Sequence, residues 1–196
     1  MIYTATITSA SLRVRECRIV AELLLAQVDG EQWKQALYEQ NRLQMGSIES
    51  IKRISRLLRS RIEPLGPDLW RMLRDGSRDL AIQAAFACAV KQSRLLGDFM
   101  DITMREHRAL FAKNLDNGMW NEYLQGCRGR DPEMPVWSDA TVTKLRSAVF
   151  TMLAEAGYVK DTRSLLLQNV FVDDQLVACL RERGESYVIR CMEVTL

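Results

Sequence analysis

The sequence is poor in the residues that build metal and nucleotide sites. It has a single histidine, His107, so a zinc site with two or three histidine ligands cannot form within one chain. Any Ser-His-Asp or Cys-His catalytic group would depend on that one side chain. None of the 10 glycines lies two positions from another, and none precedes a Lys-Ser or Lys-Thr pair, which excludes the dinucleotide and phosphate-loop fingerprints. We therefore expect neither a cofactor nor a bound metal.

The 5 cysteines are too scattered for a disulfide framework. They contain no C-x-x-C, their number is odd, and no signal peptide precedes them, which is typical of a reduced, cytoplasmic protein with unpaired thiols. Cys17 and Cys88 fall in apolar helical patterns and are expected in the core. Cys127 lies between Gly126 and Arg128 and is either another core residue, which is favoured, or an exposed thiol activated by nearby cations.

Long hydrophobic runs are also missing. The longest apolar stretch, residues 80–90, contains Gln83 and is followed by Lys91, whereas a membrane span needs ~20 apolar residues. We expect this stretch to be a buried helix and predict no membrane contact for the protein.

The sequence does have helical periodicity over most of its length. Its 47% apolar and 27% charged residues are an ordinary globular composition, and the pattern predicts a mostly α, multi-helical fold. A short strand or extended arm is expected at residues 3–8, and Gly97 is expected to break or kink the chain. Helices are predicted up to about residue 27, then at about 31–43, 48–62, 67–74, 77–96, 98–113, 116–125, 138–156 and 173–183.

The C-terminal region shows a different pattern. Residues 158–160 and 165–172 look like a strand pair, and residues 187–194 alternate like a last strand. Together with the two helices predicted after residue 136, this order predicts a small winged-helix-like α+β module.

A break in the pattern divides the chain. Gly129, Pro132 and Pro135 mark residues 126–135 as the best linker candidate. We therefore predict a helical N-terminal domain, 1–128, and the winged-helix-like module, 136–196.

The clearest functional signal is a basic stripe on the predicted helix 48–62. Lys52, Arg56 and Arg59 fall on one helical stripe with Arg53 beside it, opposite a face rich in isoleucine and leucine. A guanidinium can donate two parallel hydrogen bonds to a phosphate or a guanine edge, and each neutralised phosphate releases counterions. The pattern predicts a helix whose polar side faces DNA.

The segment before this helix supports that interpretation. A shorter predicted helix leads into the basic helix across a break at residues 44–47, which is the order of a helix-turn-helix-like pair. Ser47 and Ser50, at the start of the second helix, are candidates for bonds to phosphate or base edges. Residues 1–78 carry 13 basic and 9 acidic side chains, so the positive charge is concentrated in this part of the chain.

Plainer interpretations of the stripe stay open from the residues alone. It can be a solvated basic face, which charge and spacing alone slightly favour. A basic amphipathic helix can also bind a partner helix or lie on a membrane surface. The membrane is disfavoured because the apolar side of the stripe has no Trp or Phe.

Two further basic sites are secondary candidates for DNA contacts. Arg128 and Arg130 flank a glycine and could cradle a phosphate, although a mobile linker is the favoured interpretation. Lys160 and Arg163 could form a wing that touches the DNA backbone, and an ordinary polar hairpin tip fits them equally well.

The residues do not indicate an enzyme. Restriction-type nucleases commonly have an acidic residue two positions before a lysine, and none of the 6 lysines has one. Asp98, Asp101 and Glu106 would make a weak metal site at best. His107 is expected to be exposed or bonded to a partner rather than catalytic.

Short pieces spread along the chain carry a resemblance to a known family. They are Tyr3-Thr4-Ala5; Glu16 with Ala21-Glu22-Leu23-Leu24; Trp33 with Glu39-Gln40-Asn41-Arg42-Leu43; Ser47, Ser50, Lys52-Arg53-Ile54 and Arg61; Leu95-Leu96-Gly97-Asp98-Phe99; Trp137-Ser138-Asp139-Ala140-Thr141; and Leu153-Ala154-Glu155-Ala156-Gly157-Tyr158. None is a catalytic signature, and the specificity comes from their order over nearly the full length. In that order they resemble the BrxA family, the smallest core component of BREX (bacteriophage exclusion) systems.

The resemblance implies a small, mostly helical cytoplasmic protein that binds double-stranded DNA. It would act beside the BREX methyltransferase, phosphatase-like and ATPase components in phage defence. The family has no agreed catalytic residues, so our candidate contacts depend on the charge argument. The leading hypothesis is non-enzymatic DNA binding within a BREX assembly. The alternatives are an adaptor whose basic helix docks a partner BREX subunit, and an RNA-binding protein.

Overall fold

Helices make up most of the described chain. The computed structural model describes residues 2–7, 11–116 and 118–194. The helices are α1 (Val14–Leu25), α2 (Gly30–Lys34), α3 (Ile48–Ile62), α4 (Gly66–Asp75), α5 (Arg78–Gln92), α6 (Arg94–Asp98), α7 (Arg105–Ala109), α8 (Gly118–Arg130), α9 (Asp139–Glu155), α10 (Asp174–Glu182) and α11 (Ser186–Met192). A π-helical turn, Gln35–Glu39, continues α2, and a π-helical stretch, Phe99–Met104, joins α6 to α7. The prediction of a mostly α, multi-helical fold is confirmed.

Helix α5 lies in the middle of the core. It packs against α1, α3, α4, α6, α10 and α11, and its buried residues are Leu80, Ala81, Ala84, Ala85, Phe86, Ala87, Cys88, Ala89 and Val90. A helix that is apolar all round is stable where every face is covered by protein, so the predicted buried helix is confirmed. Within the described ranges, no helix is both long enough and apolar enough to cross a membrane.

One large cluster of buried side chains extends along the chain. Phe86 and Leu180, from the two sides of the predicted linker, both belong to it. The division into domains 1–128 and 136–196 stays a prediction.

The N-terminal arm is fixed to the body of the protein by hydrogen bonds. Residues 2–5 have no regular structure, and Thr8, the end of the predicted arm, lies outside the described residues. The carboxylate of Asp131 accepts hydrogen bonds from the backbone N–H groups of Ile2 and Tyr3. The hydroxyl of Tyr3 donates to Asp98 Oδ2 at 2.7 Å.

The C-terminal region contradicts the predicted winged-helix-like module. In the part of the chain that the structure describes, no strand forms. Val159 makes a single antiparallel bridge with Leu167, and Leu166 makes another with Asn114. Leu165 has a left-handed backbone (φ 48°), which ends an extended run. Without strands there is no wing.

The predicted last strand is helix α11. Val188, Cys191 and Met192 are buried, and their spacing of three and four residues places them on one helical face. The alternating residues 187–194 therefore fit a helix as well as a strand. Packing of the buried face against α5 and α6 favours the helix. The helix predicted from Asp173 is confirmed as α10, which the Asp173 side chain caps by accepting from Gln175 N.

The predicted linker is partly helical, because α8 continues to Arg130. Its last turns carry Cys127, which is fully buried, and burial raises the pKa of this thiol. Burial of Cys127 compensates for the low helix propensity of Gly126 and Gly129, which costs roughly 1 kcal/mol per glycine. The core interpretation of Cys127 is confirmed, and the exposed, activated thiol is wrong.

Gly97 does not break the chain, which stays helical from α6 through the π-helical stretch. A Cβ atom on Gly97 would lie 2.3 Å from the hydroxyl of Tyr187. That hydroxyl donates to Asp98 Oδ1 at 2.7 Å. The glycine therefore allows α11 to approach α6 closely.

Candidate nucleic-acid interface

Helix α3 presents its basic residues to solvent. Ser47 caps its first turn by accepting from Ser50 N. The inner face is anchored by four fully or almost fully buried side chains, which are Ile51, Ile54, Leu58 and Ile62. On the outer face the predicted contact residues Lys52, Arg53, Arg56 and Arg59 are all exposed. The apolar anchor and the outward cationic row lie as the spacing predicts.

Lys52, Arg53 and Arg56 differ from Arg59 in their ion pairing. Within residues 2–7, 11–116 and 118–194, no carboxylate forms an ion pair with Lys52, Arg53 or Arg56. Exposed cations of this kind attract counterions from the solvent. A polyanion that replaces those ions gains the free energy of counterion release.

Arg59 has a different environment from the other three cations. Its Nη2 lies 3.3 Å from Glu63 Oε1, and its guanidinium stacks at 4.9 Å over the ring of Trp33. Such contacts hold the side chain against the protein. Arg59 therefore joins the end of α3 to α2 and offers less free charge than its neighbours.

Ser47 and Ser50 bond to each other. The Ser47 hydroxyl donates to Ser50 Oγ at 2.9 Å while it accepts from Ser50 N at 3.2 Å. Both hydroxyls lie at the start of α3, where backbone N–H groups point outward. Their contact with DNA stays a prediction.

The connection before α3 is longer than expected. The helix predicted at 31–43 ends at Glu39, and residues 40–47 join it to α3, whereas a helix-turn-helix uses a turn of about 3–4 residues. Asn41 and Gln44 have left-handed backbones, and the Asn41 side chain bonds both the N–H and the carbonyl of Met45. The likeness to a helix-turn-helix stays a prediction.

The two secondary sites have separate surroundings. Arg128 is exposed at the end of α8, while Arg130 donates from Nε to the Tyr3 hydroxyl at 2.9 Å. Both lie in a helix, so neither the mobile linker nor a glycine-rich cradle is present there. Lys160 and Arg163 are exposed at a turn that Asp161 closes by accepting from Arg163 N at 2.8 Å.

One arginine of the basic run is buried. Arg61 is fully buried, donates to Gln92 Oε1 at 3.0 Å and to the Ser11 carbonyl at 3.2 Å, and burial lowers its pKa. Its position three residues after Leu58 and one before Ile62 places it on the apolar face, so helical spacing was enough to separate it from the outward row.

The whole chain has close relatives of known structure and sequence. A crystal structure of an uncharacterized protein from Magnetospirillum magneticum superimposes with a TM-score of 0.91 at 44% identity, over 100% of both chains. The sequence model of the BrxA family matches residues 1–184. The chain belongs to the BrxA family.

Individual family members match over most of their length. A BREX protein BrxA from Paramagnetospirillum magneticum is 46% identical over 194 residues, which is 99% of this chain and 98% of the relative. A BREX protein BrxA from Escherichia coli O9:H4 is 30% identical over 182 residues, 93% of this chain and 85% of the relative. The predicted BrxA resemblance is therefore confirmed.

Proposed function

We propose that this chain supplies non-enzymatic double-stranded DNA binding to a BREX phage-defence system. The observation that carries the proposal is the row of exposed cations Lys52, Arg53 and Arg56 on a helix whose other face is buried, where none of the three pairs with a described carboxylate. BrxA membership supports the placement in a BREX system, because the relatives carry that name. Other BREX components, namely the methyltransferase, the ATPase and the phosphatase-like protein, are the proposed partners.

The geometry of α3 favours contacts with the sugar-phosphate backbone. Lys52 and Arg56 lie one helical turn apart, about 6 Å along the axis at 1.5 Å per residue, and Arg53 lies beside them. A helix that rests on a phosphate row fixes position on the duplex without reading bases. Ser47 and Ser50 would add phosphate contacts at the start of α3, and Arg128, Arg130, Lys160 and Arg163 are proposed as further contacts outside this helix.

The experiment that tests this function compares nucleic acids at two salt concentrations. Gel-shift titrations with duplex DNA, duplex RNA and single strands should give the tightest binding to duplex DNA, and the affinity should fall as salt rises. Preferential binding of duplex RNA would favour the RNA-binding alternative. Absence of binding to every nucleic acid, with stable pull-down of a purified BREX component, would favour the adaptor.

Single substitutions compare Arg56 with Arg59, which pairs with Glu63. Arg56→Ala should reduce the slope of log affinity against log salt by ~0.9, because one phosphate contact is lost. Arg59→Ala should change the slope less, since Glu63 and Trp33 already occupy that guanidinium. The measurement is fluorescence anisotropy of a labelled duplex over a salt series. Equal slopes for Arg56→Ala and the unsubstituted protein would remove Arg56 from the contact surface.

An adaptor function is the second candidate, and exposed apolar side chains favour it. Leu110 is 71% exposed and Phe111 is 80% exposed at the end of α7. Phe111 also has a left-handed backbone (φ 55°), which is unfavourable for a bulky residue. Adjacent exposed apolar residues of this size are common at protein interfaces.

A further inference from the structure

A second basic surface lies away from the residues that the sequence singles out. A cleft of about 360 Å³ opens between α7, α10 and α11. Three arginines line it, Arg105, Arg181 and Arg190, together with the hydroxyl-bearing Ser186 and the carboxylate of Glu193. Arg105 on α7 is distant in sequence from Arg181 on α10 and Arg190 on α11, so no local run of charge revealed the three together.

Two of the arginines are held in place by protein contacts. Asp101 shares its carboxylate between Arg105, at 3.4 Å, and Arg190, at 2.7 Å. Arg105 also donates to the backbone carbonyls of Arg190 and Glu193 near the end of α11. With Arg181 included, three guanidiniums face the two carboxylates of Asp101 and Glu193, which leaves a net positive charge, and the fixed geometry of Arg105 and Arg190 lowers the entropy cost of binding an anion.

The third arginine has no such partner. Arg181 is exposed, and no carboxylate in the described part of the chain forms an ion pair with it. Gly184, which also lines the cleft, has a positive φ, and a Cβ atom built there would meet nothing within 4 Å. The side of the cleft next to Arg181 is therefore open to a ligand.

We propose that this cleft binds a phosphate group, with Arg181 and Arg190 as its donors and Ser186 as a neutral donor. A concave surface concentrates the field of its charges more than a flat one, and a guanidinium matches a phosphate in a bidentate geometry. Glu193 opposes the anion and limits its affinity. The proposal is independent of α3, because no residue of the cleft belongs to that helix.

The test uses two substitutions in the full-length chain that are expected to change phosphate binding in opposite directions. Inorganic pyrophosphate, followed by the rise in thermal stability, probes a free phosphate group, and anisotropy of a labelled DNA duplex probes the nucleic-acid backbone. Arg181→Glu should weaken binding about tenfold, as expected for loss of a charge-assisted hydrogen bond. Glu193→Gln should tighten it about threefold, because it removes a nearby negative charge. Neither side chain is buried, so both variants should fold.

The control is Lys144→Glu, which makes the same change of charge at an exposed position on α9. A response in the pyrophosphate titration assigns the cleft to free polyphosphates, and a response with the duplex alone assigns it to the backbone of DNA. The proposal is overturned if Arg181→Glu weakens neither probe more than Lys144→Glu, or if Glu193→Gln fails to tighten the probe that Arg181→Glu weakens.

Discussion

Combined replacement of Lys52, Arg53 and Arg56 by alanine is expected to abolish most of the affinity for duplex DNA. Each lost phosphate contact should reduce the salt slope by ~0.9, so the three together reduce it by about 2.7. At 0.1 M salt this corresponds to a loss on the order of several hundredfold. The three side chains are exposed and form no ion pair with any residue that the structure describes, so their removal should leave the stability of the fold nearly unchanged.

A control with the same change in net charge makes this result specific. Lys34, Arg71 and Arg74 are exposed, and each pairs with a neighbouring carboxylate. The variant with all three replaced by alanine should keep most of the slope of log affinity against log salt, because neighbouring carboxylates already neutralise those cations. Anisotropy titrations at several salt concentrations measure both variants. Equal losses in the two would show that net charge, and not α3, governs binding.

The sequence was sufficient to predict α3 because the features that define this helix, its cap and the spacing of its apolar and basic residues, lie within one segment. Ser47 caps it, isoleucines and leucines at three- and four-residue spacing anchor it, and the cations fall opposite them. The pairing of Arg59 with Trp33 could not be derived in the same way. It depends on how residues 40–47 fold α2 back against α3, and two left-handed residues in that connection decide the path.

The strands predicted for the C-terminal region are absent from the described residues for a related reason. Short apolar segments fit the two-residue period of a strand and the 3.6-residue period of a helix about equally well, so tertiary contacts decide which of the two forms. Most of the predicted strand 187–194 lies in α11, where Tyr187 donates to Asp98 and Val188 packs into the core. The left-handed backbone of Leu165 and the bridge from Asn114 to Leu166 are likewise consequences of distant packing.

The two candidate sites also differ in whether the sequence alone could predict them. The α3 row could be predicted because its members lie within one helix. The cleft of Arg105, Arg181 and Arg190 could not, because the fold alone brings these residues together. The sequence places Arg130 beside a glycine as a candidate phosphate contact, but it could not predict that the N-terminal arm brings the Tyr3 hydroxyl to 2.9 Å from its Nε.

The largest expected loss of stability follows removal of the Asp98 carboxylate. Asp98 is 4% exposed and accepts from the hydroxyls of Tyr3 and Tyr187, each at 2.7 Å, and from Arg94 Nε at 2.9 Å. In Asp98→Ala the two hydroxyls lose their acceptor, and the hydroxyl of Tyr3 does so in a buried site. Each unsatisfied group costs about 1–3 kcal/mol, so we expect a loss of about 3 kcal/mol and a decrease in melting temperature of about 6–12 °C.

A double-mutant cycle identifies the cause of that loss. Tyr3→Phe alone should cost about 1 kcal/mol, and it should cost clearly less in the Asp98→Ala background, because the hydroxyl has then lost its acceptor and keeps only the hydrogen bond that it accepts from Arg130. Asp75→Ala, which removes an exposed ion pair with Arg74, is the control and should change stability by about 0.5 kcal/mol or less. Thermal and urea unfolding measure all four variants. Additive effects of Tyr3→Phe and Asp98→Ala would contradict the network, and would mean that the N-terminal arm is held without Asp98.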